Sequence, residues 1–113
     1  MIIAQRILKF VAGPHAGKTV RISVHLPKQD GNGWSCGYDI DWPDRSRQSE
    51  AAGIDAIQAL NIAMQKVGVE LYTSQHHAQR SIEFEGPGKG YGFPVPRSMR
   101  DVLIGDDKLF DGQ

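Results

Sequence analysis

Between Ala12 and Thr19 the chain reads AGPHAGKT, a glycine-bracketed loop ending in a lysine and a hydroxyl residue, the residue types that cradle a phosphate. Such a loop binds because the lysine and hydroxyl residue open a helix whose N-terminal amides face the anion. Here the continuation, VRISVHLP, alternates apolar and polar residues and stops at Pro27, which is strand patterning. The segment therefore reads as a hairpin turn with an exposed Lys18. A second glycine-rich stretch, Gly86 to Gly92, offers backbone amides beside Lys89 and Tyr91, but Pro94 and Pro96 prevent a helix from following. The simpler reading of this loop is a tight connection whose Tyr91 and Phe93 plug one end of the core; as a binding surface it is the leading candidate in the chain.

Metal chemistry needs ligands that converge. His15, His25, His76 and His77 are scattered, and the adjacent pair points to opposite faces in a strand, converging only in a loop or at a helix end. Asp39, Asp41 and Asp44 supply oxygens in series, yet Trp42 and Pro43 interrupt them and the central glycine and closing glutamate of a calcium loop are missing. Cys36, between Trp34 and Tyr38 in a strand pattern, reads as a small buried hydrophobe. Spacing reveals no nucleophile elbow, zinc-protease histidine pair or acid/base dyad. No catalytic residue is assigned, and neither a cofactor nor a metal is expected.

The elements that must position these residues follow from periodicity. Gln5 to Val11 and Val20 to Leu26 read as two strands joined by the Gly13, Pro14 and Gly17 turn, and Trp34 to Ile40 as a third after the turn Gln29 to Gly33. Pro43 to Ser49 reads as a polar loop. A helix is expected from about Glu50 to Tyr72, with Ile57, Leu60, Met64, Val67 and Leu71 in one apolar stripe and Asp55, Gln58, Asn61, Gln65 and Lys66 opposite. Asp55 faces the positive end of the helix dipole. Ser81 to Glu85 reads as a short fourth strand, and the tail after Arg97 as a short packed turn that frays over its last residues. The expected fold is α+β, an antiparallel sheet of about four strands with one long helix packed on one face. Trp34, Cys36, Ile57, Leu60, Met64, Val67 and Phe84 are its expected core.

With 113 residues the chain fits a single domain, 1–113. Thirteen basic and thirteen acidic residues cancel, which removes the global positive field that draws nucleic acid or anionic membrane. The one cysteine makes no internal disulfide, and neither a secretory signal nor a run long enough to span a membrane is visible, so a cytoplasmic setting is expected. The stretches WSCGYDI, AGIDAIQALNIAMQKVG and GYGFPVP resemble a family of small uncharacterised bacterial proteins carrying a domain of unknown function, over roughly residues 3 to 105. The resemblance implies a bacterial source and a shared fold, and carries no site residues.

Three readings of function compete. The first is a small interaction protein, of the immunity or accessory type, acting through a surface that includes Trp42, with a protein partner or a second copy as its target. The alternative is a ligand-binding or enzymatic domain whose pocket lies between the helix N-terminus and the Gly86 to Pro96 loop, using Asp55, Gln58, Lys89 and Tyr91. Nucleic-acid binding through Arg45, Arg47, Arg97 and Arg100 is the weakest, given the neutral balance of charge.

Overall fold

A computed structural model of the chain describes residues 1–109, so the end expected to fray lies outside the described residues. Strands β1 (Ile2–Phe10) and β2 (Thr19–His25) form the expected antiparallel hairpin. A short β3 (Lys28–Asp30) leads into β4 (Gly33–Trp42), and β5 (Arg45–Gly53) returns along β4 from Trp42↔Arg45 to Trp34↔Gly53. On its other side β4 pairs with β3 at residues 33–35 and with β2 at residues 38–41. Helix α1 (Ala56–Tyr72), a one-turn α2 (Gln75–Ala78) and a two-residue β6 (Ile82–Glu83) come next. β6 pairs with Lys9 and Phe10 at the far edge of β1. A 3₁₀ turn (Arg97–Val102) and α3 (Gly105–Leu109) complete the described chain. Among the described residues the architecture is α+β, with six antiparallel strands and one long helix packed on the sheet.

Two expectations are corrected. The polar loop expected at Pro43 to Ser49 is a two-residue connection, Pro43–Asp44, followed by strand β5, which also takes the residues Glu50 to Gly53 from the expected start of the helix. Its sequence, RSRQSEAAG, hides the strand because β5 is an outer strand with most of its side chains in solvent. Pairing with β4, a tertiary interaction, overrides its weak strand propensity. Its outer position is guarded: Lys66 Nζ donates to the Glu50 carbonyl at 2.7 Å, and Arg45 and Arg47 place charge along the edge.

The second correction concerns the helix stripe. The fully covered positions are Ala59, Ala63, Val67 and Leu71, one every fourth residue, with Gly68 and Tyr72 beside them. Leu60 and Met64 are half-buried on the flank, and Ile57 is 78 % exposed, outside the core expected for it. Small residues win the inner row because α1 comes very close to the sheet: a Cβ on Gly53 would stand 2.4 Å from the Ala59 nitrogen. Facing them are Leu8, Phe10, Val20, Ile22, Val24, Cys36, Tyr38, Ile40 and Trp42, the inward set of β1, β2 and β4. Cys36 and Val67 are buried as expected, while Trp34 and Phe84 lie at the margin of the core.

The opposite face of the sheet is mainly polar, with Lys9, Arg21, Asp41 and Gln48 exposed, Ile7 exposed beside Arg21, and His25 Nε2 2.8 Å from Asp39 Oδ2. AGPHAGKT makes the β1–β2 turn, where Gly17 N donates to Phe10 O and Thr19 enters β2, so no helix follows to complete a phosphate cradle.

Candidate functional site

The C-terminal end of α1 organises the polar interior of the molecule. Thr73 caps the helix, and Ser74 turns the chain directly into α2, donating to Leu71 O at 2.7 Å and accepting from His77 N at 3.2 Å. On this single turn the adjacent histidines diverge. His76 packs against Phe10 and Trp42, with ring centroids 5.0 Å away in each case. His77 turns to Tyr72 and Tyr91, its Nδ1 2.6 Å from the Tyr91 hydroxyl. Burial lowers the pKa of both imidazoles from the ordinary histidine value, which favours the neutral ring at pH 7.

Helix α2 ends in a Schellman motif: Arg80 N donates to His77 O and Ser81 N to His76 O, both at 2.9 Å. The motif requires a left-handed residue at position 80, where glycine is the usual choice, and here Arg80 adopts φ +55°. Strand β6 and the Gly86 to Pro96 loop follow, the loop turning through Gly86, Gly88, Gly90 and Gly92, each at positive φ.

Two side chains fix that loop. Asp107 of α3 is 9 % exposed, and its carboxylate accepts from the Tyr72 hydroxyl at 2.5 Å, from Tyr91 N at 2.7 Å and from Gly92 N at 2.6 Å. Arg6 of β1 donates to the carbonyls of Tyr91 and Gly92, with its guanidinium 4.3 Å from the centre of the Phe84 ring and 5.4 Å from that of Phe93. Burial pushes the Tyr91 phenol up to about 12, with the Asp107 charge adding to the shift, and raises Tyr72 in the same direction. Both hydroxyls therefore stay protonated at neutral pH.

Between α2, β6 and this loop lies a cleft of about 710 Å³. Its apolar lining comes from Val11, Ile82 and Ile104, and its polar lining includes His77, Tyr91, Arg80 and Glu83. The volume falls in the range of small-molecule sites, about 300–1,000 Å³. With Nδ1 engaged by Tyr91, the His77 ring has Nε2 left for a ligand. The arrangement can hold a molecule with an apolar body and a few polar ends. Among the described residues no group of three or more His, Cys, Asp or Glu side chains is placed to hold a metal ion.

Residues 4–95 match the family model described as Domain of unknown function (DUF6968). The chain belongs to this family. Nothing matches it among curated proteins or among solved structures. The matched span of this DUF6968 chain includes α1, α2, β6 and the glycine-rich loop up to Val95, while Ile104 and Asp107, which complete the cleft and its support, follow it. No helix among the described residues is long and apolar enough to cross a membrane.

The candidate residues read from the sequence of this DUF6968 chain separate. Asp55 is the N-cap of α1, its Oδ1 accepting from Gln58 N at 2.8 Å, and Gln58 Oε1 accepts from Ile54 N at 2.7 Å. Both side chains thus serve the helix start itself. Tyr91 packs on Tyr72 at the other end, a helix length of about 25 Å away at about 1.5 Å per residue over 17 residues. The pocket expected between the helix N-terminus and the Gly86 to Pro96 loop is not formed, because the loop runs to the C-terminal half of α1. Pro94 lies against Gly68, where an added Cβ would stand 1.8 Å from the Pro94 carbonyl oxygen. Lys89 is exposed on the loop, its carbonyl accepting from Asp106 N at 2.7 Å. Trp42 is only 6 % exposed and packs at a tilt against His76, so the core takes it in place of a surface patch. Arg47 is paired with Glu70 at 3.0 Å.

Sequence reasoning missed Arg80 and Asp107. Nothing in the local pattern marks Arg80 as a left-handed cap, and GDDKL reads as a charged tail whose second aspartate gives no sign of burial. His77 carried a signal, the histidine pair, without its partner.

Proposed function

We propose that the protein binds a small organic molecule in the cleft between α2, β6 and the Gly86 to Pro96 loop. The observation that carries this reading is the conjunction of a 710 Å³ concavity with the His77–Tyr91 pair, held in place by a buried aspartate. A cleft with apolar walls, a few fixed polar groups and perturbed titrating residues is the usual form of a binding site. The test is a thermal-shift screen of soluble metabolites against the wild-type protein and Ala78→Trp, a substitution at the exposed rim that fills the cleft. Compounds that raise the melting temperature of the wild type and leave Ala78→Trp unmoved support the reading. A screen without such compounds, or equal shifts in both proteins, removes it.

A second reading, a protein partner or a second copy of the chain in a cytoplasmic setting, is favoured by Ile54 and Ile57, which are 80 % and 78 % exposed at the start of α1. Light scattering across a concentration series tests the homodimer form of it: a monomer throughout eliminates that form. Ile54→Ser with Ile57→Ser tests the patch by its effect on co-purification of a stoichiometric partner.

A further inference from the structure

We infer that the ligand of this cleft is an α-amino acid with an aliphatic side chain, its carboxylate on Arg80 and its ammonium on Glu83. The inference rests on the cleft reading above and adds the ligand's chemistry to it. Arg80 and Glu83 both line the cleft, and among the described residues neither forms an ion pair. Two opposite charges lining one cleft discriminate by elimination. A simple anion that reaches Arg80 meets repulsion from Glu83, and a simple cation meets the converse. A zwitterion satisfies both. Val11 and Ile104 supply the apolar surface for its side chain, and His77 Nε2 is the one ring nitrogen not already taken by Tyr91.

Arg80 supplies an independent argument. Its backbone stands at φ +55° in a Schellman cap that glycine would make with less strain. Its side chain makes no hydrogen bond or ion pair among the described residues that would offset the strain. A strained residue that lines a cleft, and whose side chain makes no hydrogen bond or ion pair there beyond the electrostatic influence of its charge on His77, points to a role in the cleft.

Calorimetric titration with four probes of one shape separates the possibilities: leucine, leucinamide, 4-methylpentanoate and 3-methylbutan-1-ol. Leucinamide lacks the carboxylate, 4-methylpentanoate lacks the ammonium, and the alcohol lacks both. Leucine is expected to bind at least 10-fold more tightly than each of the others. Arg80→Gly is expected to keep or raise the melting temperature while lowering leucine affinity at least 10-fold, which a merely structural arginine would not do. Glu83→Gln is expected to abolish the preference for leucine over 4-methylpentanoate. Leucine binding no tighter than the alcohol, or unchanged in both variants, overturns the inference and leaves the cleft reading standing. Failure of all four probes to bind overturns it as well, and a screen in which no compound distinguishes wild type from Ala78→Trp then removes the cleft reading too.

Discussion

The two ends of α1 are built on opposite principles. At its N-terminal end the helix starts from an aspartate cap and a glutamine that reaches back to the preceding amide, and two large apolar residues, Ile54 and Ile57, stand in solvent. At its C-terminal end the last residue, Tyr72, is buried and hydrogen-bonded to Asp107, and the chain folds back through α2, a glycine-rich loop and α3 to cover it. Polar groups satisfied locally can stay at the surface. Polar groups satisfied by residues far along the chain draw those residues over them and create an interior with a cleft.

The comparison breaks most directly at Asp107. Replacing it with Ala leaves the Tyr72 hydroxyl and the Tyr91 and Gly92 amides without their acceptor, and a loss of about 3 kcal/mol in urea-unfolding stability is expected. Gly68→Ala is next. In an open helix this change stabilises by about 1 kcal/mol. Here the new methyl meets the Pro94 carbonyl, so the sign reverses, with an expected loss of about 2 kcal/mol and faster amide exchange in the Gly86 to Pro96 loop. At the other end Asp55→Ala removes one cap bond and is expected to cost about 1 kcal/mol, measured the same way, without altering exchange in that loop.

The effect of pH has a defined sign. His76 and His77 have lowered pKa values in the folded protein, so the unfolded chain takes up protons first as pH falls below about 6.5. Their contribution is therefore complete above that pH and declines below it, until the folded imidazoles also protonate. Replacing His77 with Asn should flatten the slope of stability between pH 6.5 and the onset of carboxylate titration, about pH 5. The smallest effect belongs to Ile57→Gln, expected within about 0.5 kcal/mol of wild type because the side chain leaves one aqueous surface for another. A large loss there would mean that the start of α1 is covered in solution, and the contrast between the two ends would fail.

Much of the fold is legible in the chain. The β1–β2 hairpin, the strand around Cys36, the long helix and a strand near Ile82 all follow from period and turn residues, because each is a local pattern read against one dominant partner. β5 was illegible for a physical reason: an outer strand with polar residues on both faces has no alternation to display, and only the ladder with β4 makes it a strand. The inner row of α1 was misjudged because hydrophobicity ranks Ile57 and Met64 above Ala59 and Ala63, whereas close approach of helix to sheet selects for small size. Of the candidate site residues only Tyr91 lines the cleft, since its loop was marked by glycines and an aromatic.

By itself the sequence determined what depends on neighbours in the chain: the β1–β2 hairpin, the strand around Cys36 and the body of the long helix, that AGPHAGKT turns without opening a helix, that Asp55 serves the helix N-terminus, and that the chain is α+β. Tertiary structure alone decided that Asp107 is an interior anchor, that Arg80 completes a helix cap beside a cleft, and that His77 and Tyr91 share a hydrogen bond. The Asp107 and His77–Tyr91 contacts join residues from 14 to 35 positions apart, and the cap at Arg80, though local in its hydrogen bonds, meets the cleft only through the fold. Period and propensity encode the near neighbours of each residue, and no local pattern specifies which distant carboxylate will satisfy a given hydroxyl or amide once water is excluded.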